Sequence, residues 1–252
     1  MRPRSAVLAV LAVIGALLPL SACGGGGGSS DHTITVLAAS SLTGTFTQLG
    51  REFESAHPGV TVKLAFDSSA TLAQQAVGGA PADVLATADT TTMDSAKTVQ
   101  ADTPQVFATN VMVLATPADN PAHISSFADL DRSSVKFVVC VPTAPCGAVA
   151  QALLDQDHIT GKPVSTEVDV KSVLAKLTEG EADAGIVYTT DATAAGDQVT
   201  TVPIPGAAQQ VTTYPIVALT QSHGATLAQE FVDLVTGSTG AKVLAKAGFG
   251  AP

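Results

Sequence analysis

Two serine pairs stand where β-like segments run into helix-like ones: VLAASSLTGTF at 36–46 and FDSSATL at 66–72. A hydroxyl at a helix start ordinarily accepts a hydrogen bond from the N–H groups of its own helix. A second hydroxyl beside it can instead donate to a bound group. Helix starts also present unpaired N–H groups and the positive end of the helix dipole, which suits them to anions. Cys146, in Ala144-Pro145-Cys146-Gly147, and Val170, just after Asp169, mark two further starts of this kind. Plain capping accounts for either serine pair taken alone. Four such starts, at Ser41, Ser69, Cys146 and Val170, point to a shared anion pocket.

Other chemistries find little support. The segment Thr236-Gly237-Ser238-Thr239-Gly240 lacks the Gly-x-Ser-x-Gly spacing of a hydrolase elbow. The histidines, His32, His57, His123, His158 and His223, are scattered and follow no metal-ligand spacing. Glu179, Glu181 and Asp183 lie between a helix-like and a strand-like segment and read as a solvated loop. There is no tryptophan, and Tyr188 and Tyr214 are the only tyrosines. That argues against stacking on sugars or single-stranded nucleic acid, and against tyrosine-rich ferric capture. The expectation is a binding protein, not an enzyme, with no cofactor.

The elements that must position these residues follow from periodicity. Residues 34–38 form a β-like run, and Leu42, Phe46, Leu49 and Phe53 then recur at helical spacing until His57-Pro58-Gly59 stops the helix. Residues 60–66 read as a strand, and a helix from Ser68 or Ser69 ends at Gly78-Gly79. A strand over 83–88 and a helix over 91–99 follow. Apolar β-like runs cover 106–116, 135–141, 184–188 and 211–220. Helices are expected around Val149–Leu153, from an Asp169 cap through Leu177, around 227–234 and over 241–247. Alternating strands and helices imply an α/β fold with mainly parallel sheets. The long runs at 106–116 and 211–220 suggest two lobes with both runs crossing between them; a single doubly wound domain is the alternative. No internal repeat is evident.

The amino terminus is of a different kind. Arg2 and Arg4 precede an apolar stretch over 6–18, and Leu20-Ser21-Ala22-Cys23 leads into five glycines and two serines. This is an export signal over 1–22 rather than a membrane span. The tetrapeptide resembles a bacterial lipobox, which implies lipidation of Cys23 and a tether over 23–31 reaching about 15 Å. Without Arg2 and Arg4, 10 basic side chains face 22 acidic ones, a net charge of −12. Such a surface disfavours nucleic acid as a partner and should slow the approach of an anion. Cys140 and Cys146, an even pair in an exported chain, read as a disulfide. Metal ligation is the rival reading, without a histidine nearby in sequence.

VLAASSLTGTF, FDSSATLAQQAVGGAPADVLATAD, NVMVLATP and GIVYTTDA, with the returning Tyr214-Pro215-Ile216-Val217, together resemble the substrate-binding proteins of molybdate ABC transporters. The resemblance spans nearly the whole chain after the tether. It implies a type II periplasmic-binding-protein fold with two hinge crossings, one lobe taking 32–112 and 217–252 and the other 113–216. It implies a monomer that captures molybdate or tungstate and delivers it to a membrane ABC permease, lipid-anchored through Cys23 on the extracytoplasmic face. Sulfate or phosphate is the alternative ligand. The residues that match are Ser41 and Ser69 on one lobe, with Cys146 and Val170 offering backbone N–H groups and Tyr188 its phenol from the other. Molybdenum would enter only as the oxyanion held by these five. Asp67, beside the second serine pair, is expected to face water.

Overall fold

A computed structural model describes residues 32–252. The expected signal segment, the expected lipidation site Cys23 and the expected tether lie outside the described residues. The first sheet has the order β2-β1-β3-β10-β4 and comprises β1 (His32–Ala39), β2 (Val60–Asp67), β3 (Val84–Ala86), β4 (Gln105–Asn110) and β10 (Thr212–Ala218). The second has the order β7-β6-β8-β5-β9. It comprises β5 (Met112–Pro117), β6 (Phe137–Cys140), β7 (Ser165–Glu167), β8 (Ala184–Tyr188) and β9 (Val199–Val202). In each sheet three neighbouring strands run parallel and the fourth runs antiparallel to both of its neighbours. The fold is α/β with two lobes.

The helices are α1 (Thr43–Ala56), α2 (Ser69–Val77), α3 (Thr90–Ser95), α4 (Pro145–Gln156), α5 (Val170–Thr178), α6 (Thr189–Ala195), α7 (Ala225–Thr236) and α8 (Ser238–Lys246). A 3₁₀ turn over Ser40–Leu42 joins β1 to α1. Helix α1 buries the predicted stripe: Phe46 packs its ring 5.8 Å from that of Phe107 and 6.0 Å from that of Phe231. The helix ends at His57, and Gly59 follows with φ of +88°, a turn conformation that costs glycine little. The first sheet is buried on both faces. Ile34, Val36 and Ala38 of β1 join the α1–α7–α8 side, and Leu37 joins the α2–α3 side. One continuous core fills the second lobe. Among the described residues, no helix is long and apolar enough to cross a membrane.

The run at 106–116 divides between the two sheets. Asn110 ends β4, Val111 lies in neither strand, and Met112 opens β5 in the other sheet. The run at 211–220 does not cross. Strand β10 pairs along its length with β3 and β4 and is a central strand of the first sheet. The second crossing is the segment between Val202 and Thr212. Met112 accordingly belongs to the second sheet and Thr212–Ile216 to the first, a few residues from the expected boundaries at 112 and 216. Strands β7 and β9 and helix α6 escaped the periodicity argument because they are short. The two strands also carry polar residues, as sheet edges commonly do.

Replacing Phe46 by Ala should cost about 3–5 kcal/mol, because it opens a cavity between α1, α7 and β4. Urea or thermal unfolding measures this, and a loss below about 1 kcal/mol would mean that α1 is not anchored there.

Candidate functional site

The carboxyl ends of the parallel strands of both sheets face one another across a small cavity of about 10 Å³. In open α/β sheets this is where ligands bind. The wall comprises Ala39, Ser40 and Ser41 after β1, Asp67, Ser68 and Ser69 at the β2–α2 junction, and Ala88 after β3. From the second lobe come Pro145 and Cys146 after β6, Asp169 and Val170 after β7, and Tyr188 at the end of β8. Ser41, Ser69, Cys146, Val170 and Tyr188 are thus brought to one place from five strand ends. Pockets for drug-sized ligands run to roughly 300–1,000 Å³, so this space is far too small for a sugar or a peptide.

Neither serine pair caps its helix through a side chain. Ser69 Oγ instead accepts the Ala88 N–H at 2.9 Å, and Ser41 Oγ lies 3.0 Å from the Tyr214 hydroxyl. An accepting hydroxyl keeps its own proton free to donate elsewhere. The first N–H groups of a helix have no acceptor within it. In α2 the earliest such bond runs from Leu72 to the Ser68 carbonyl, which leaves the Ser69 N–H free at the cavity. In α4, Pro145 occupies the first position and has no N–H, so Cys146 supplies the first donor. In α5, the Asp169 carboxylate accepts the Ser172 N–H at 2.9 Å as a true cap, and Val170 supplies the free N–H.

Tyr188 is buried, and its hydroxyl finds no hydrogen-bond partner among the described residues. An orphaned buried donor costs about 1–3 kcal/mol, so native structures rarely keep one without use. Burial, with Tyr214 nearby, pushes the Tyr188 phenol well above the ordinary tyrosine range, and burial likewise raises Tyr214. Behind the phenol, Asp191 has a side chain that is 0% exposed; it pairs with Lys171 Nζ at 2.7 Å. Its other oxygen accepts the Tyr188 N–H at 3.3 Å. Burial raises the Asp191 pKa, and Lys171 opposes that shift. One carboxylate therefore ties the Tyr188 backbone to the residue following Val170.

Asp67, expected to face water, is half-buried in the cavity wall. Its Oδ1 accepts the Ser68 N–H at 2.6 Å, a local bond that holds the carboxylate against its own turn. No lysine or arginine lines the cavity among the described residues. Cys140, ending β6, is disulfide-bonded to Cys146, with Cα atoms 5.8 Å apart. The same loop is tight at Gly147, where a Cβ would lie 1.9 Å from the Val141 carbonyl oxygen. Tyr214, Asn110, Lys171 and Asp191, which support the site from behind, were not singled out from the sequence. One signal was available: Asn110 is the only amide in the apolar run at 106–116.

Two lobes closing on a small cavity lined by neutral donors define a solute-binding protein. Residues 34–250 match the family model described as bacterial extracellular solute-binding protein. The molybdate-binding protein ModA of Mycobacterium tuberculosis is 43% identical over 223 residues, covering 88% of this chain and 85% of that protein. The Escherichia coli protein of the same name is 31% identical, covering 88% and 90%. The chain belongs to the bacterial extracellular solute-binding proteins and, within them, to the ModA family. Among solved structures, the periplasmic molybdate-binding protein of Azotobacter vinelandii superposes with a TM-score of 0.78 at 19% identity, covering 87% of this chain and 99% of that one. The sulfate-binding protein SubI of M. tuberculosis gives 0.71, also at 19%, covering 86% of each chain. At that identity both show the fold alone.

Gly147→Ala should cost about 1–3 kcal/mol, since the new methyl meets a backbone carbonyl that cannot move without shifting the start of α4. A thermal melt indistinguishable from wild type would show that the β6–α4 loop yields more freely than the geometry indicates.

Proposed function

We propose that this protein captures molybdate, and tungstate with it, in the interlobe cavity and delivers it to a membrane ABC permease. The observation that carries the reading is the buried, unpartnered Tyr188 hydroxyl. It shares a small cavity with Ser41, Ser69, Cys146 and Val170, whose hydroxyls and helix-start N–H groups are the other donors of this reading. A tetrahedral oxyanion that carries no proton near neutral pH needs donors alone. Neutral donors supply them without the desolvation cost of a buried lysine or arginine. Donors to an ionised partner contribute roughly 1.5–3 kcal/mol each. A ceiling of about −1.5 kcal/mol per heavy atom allows a five-atom ion micromolar affinity, and charge-assisted bonds in a closed, dry cleft can exceed it. The 43%-identical relative named a molybdate-binding protein supports this choice of ion.

Hydrogen phosphate is the second reading, favoured by Asp67, whose carboxylate in the wall could accept a ligand proton. Engagement of that carboxylate by the Ser68 N–H favours the proton-free ion. In operation the two lobes close around the ion, exclude water and present the closed form to the permease. Lipidation at Cys23 would hold the protein, as a monomer, at the extracytoplasmic face of the membrane.

Thermal-shift measurements with molybdate, tungstate, sulfate and phosphate test the reading. A ligand at 100 times its Kd adds about 2.7 kcal/mol of stability. Molybdate and tungstate should give the largest shifts, and an equal shift with sulfate or phosphate would overturn the assignment. Tyr188→Phe should weaken molybdate binding by roughly ten-fold or more through one lost donor to a charged oxygen. Unchanged affinity would remove the phenol from the site. Because burial holds that phenol well above its ordinary value of 10.0, it stays a donor as pH rises. Molybdate affinity should therefore remain flat from neutral pH through about 10, whereas a decline centred near that value would mean that the hydroxyl titrates like an exposed tyrosine.

A further inference from the structure

We infer that Tyr214 and Asn110 are positioning residues that lock the Ser41 hydroxyl into the donating orientation, biasing the cavity toward oxyanions that carry no proton. The inference rests on the oxyanion reading above and deepens it. The hydrogen bonds favour one order of protons along this chain of groups. The Val111 N–H donates to Asn110 Oδ1 at 3.0 Å, and since an N–H can only donate, Nδ2 must point the other way. Nδ2 donates to Thr190 Oγ1 at 2.8 Å and reaches the Tyr214 phenol oxygen at 3.5 Å, the longest link. Tyr214 is fully buried, and among the described residues the one other hydrogen-bond partner of its hydroxyl is Ser41 Oγ at 3.0 Å.

Were Ser41 to donate to Tyr214, the phenol oxygen would face two donors, and its own proton could turn only toward the Tyr188 hydroxyl, which makes no hydrogen bond among the described residues. The phenol therefore donates to Ser41. The Ser41 proton is left to point into the cavity that Ser41 lines. Ser69 reaches the same state by another route, because its oxygen accepts the Ala88 N–H. A serine free to rotate serves a ligand oxygen or a ligand O–H equally well. A serine held as donor rewards a bare oxygen and opposes a ligand proton, as in hydrogen phosphate. Asn110 sits where it can hold this order across the lobes, because it is the last residue before the crossing, bonded to Thr190 of the second lobe and approaching Tyr214 of the first.

The test is calorimetric titration of molybdate and of inorganic phosphate, by competition where binding is weak, into wild type, Tyr214→Phe, Ser41→Ala and the double variant. Tyr214→Phe keeps the ring contacts to Phe107, Tyr188 and Phe249. It should weaken molybdate binding by about 3- to 10-fold, the worth of a neutral hydrogen bond, and should narrow the preference for molybdate over phosphate. In the Ser41→Ala background the same change should add little, because its effect passes through Ser41. A Tyr214→Phe protein with wild-type affinity and selectivity, or a loss that adds in full to that of Ser41→Ala, overturns the relay and leaves the oxyanion reading standing. A wild type without preference for molybdate overturns both. If Tyr214→Phe does not fold, Asn110→Ala enters the same cycle with the same expectations, and retained selectivity there again counts against the relay.

Discussion

The proposed reading turns on one constraint: a doubly charged ion taken out of water must find oriented protons, and this cavity wall offers them without a lysine or arginine. Desolvating a lysine or arginine beside the ion would cost several kcal/mol before any attraction was recovered. Backbone N–H groups at helix starts are already without partners, so using them leaves nothing unpaired elsewhere. Hydroxyls are less dependable, because each can turn round and accept. The structure removes that freedom by giving the Ser69 oxygen a proton from Ala88 N–H and placing the Ser41 oxygen against Tyr214. The nearby cation Lys171 is paired with the buried Asp191 and adds no free positive charge to the wall.

The two sheets meet that constraint through one shared plan. Each has three parallel strands, whose carboxyl ends lead into turns and helix starts, followed by an antiparallel strand and a fifth at the edge. Facing two such sheets across two crossings brings Ser41, Ser69, Cys146, Val170 and Tyr188 together from segments far apart in sequence. No internal repeat is visible in the chain because the shared plan resides in strand order and direction. These need only apolar residues at certain positions, not the same residues. Gly147 in the second lobe has no counterpart beside Ser69 in the first. The β6–α4 turn is tight against Val141, and the disulfide at Cys146 closes it further.

Much of this was legible from residue types, and the failures have local causes. Helix α1 followed from Leu42, Phe46, Leu49 and Phe53, and β8 from five consecutive residues all buried in the structure. The crossing at Asn110 and Met112 was foreseen as part of a long apolar run. The same reasoning failed at 211–220 because an apolar run buried on both faces looks alike whether it spans two sheets or fills the middle of one. The site residues came from helix starts and from the family resemblance. Tyr214 and Asn110 did not, because a buried phenol and a lone amide show their function only through partners 173 and 80 residues distant.

The acidic composition, 10 basic against 22 acidic side chains beyond the first two arginines, at first sight suits an anion-binding protein poorly. Distance resolves much of the conflict. At physiological ionic strength exposed charges are screened over roughly 8 Å, whereas donors in the cavity act at about 3 Å through little intervening water. The carboxylates nearest the site are also partly committed. Asp169 accepts the Ser172 N–H, Asp67 the Ser68 N–H, and Asp191 both Lys171 and the Tyr188 N–H. Each spends part of its charge on fixing a donor rather than on opposing the ion. Net charge therefore bears chiefly on the rate of encounter, and retention of the ion is decided by which protons the fold turns inward.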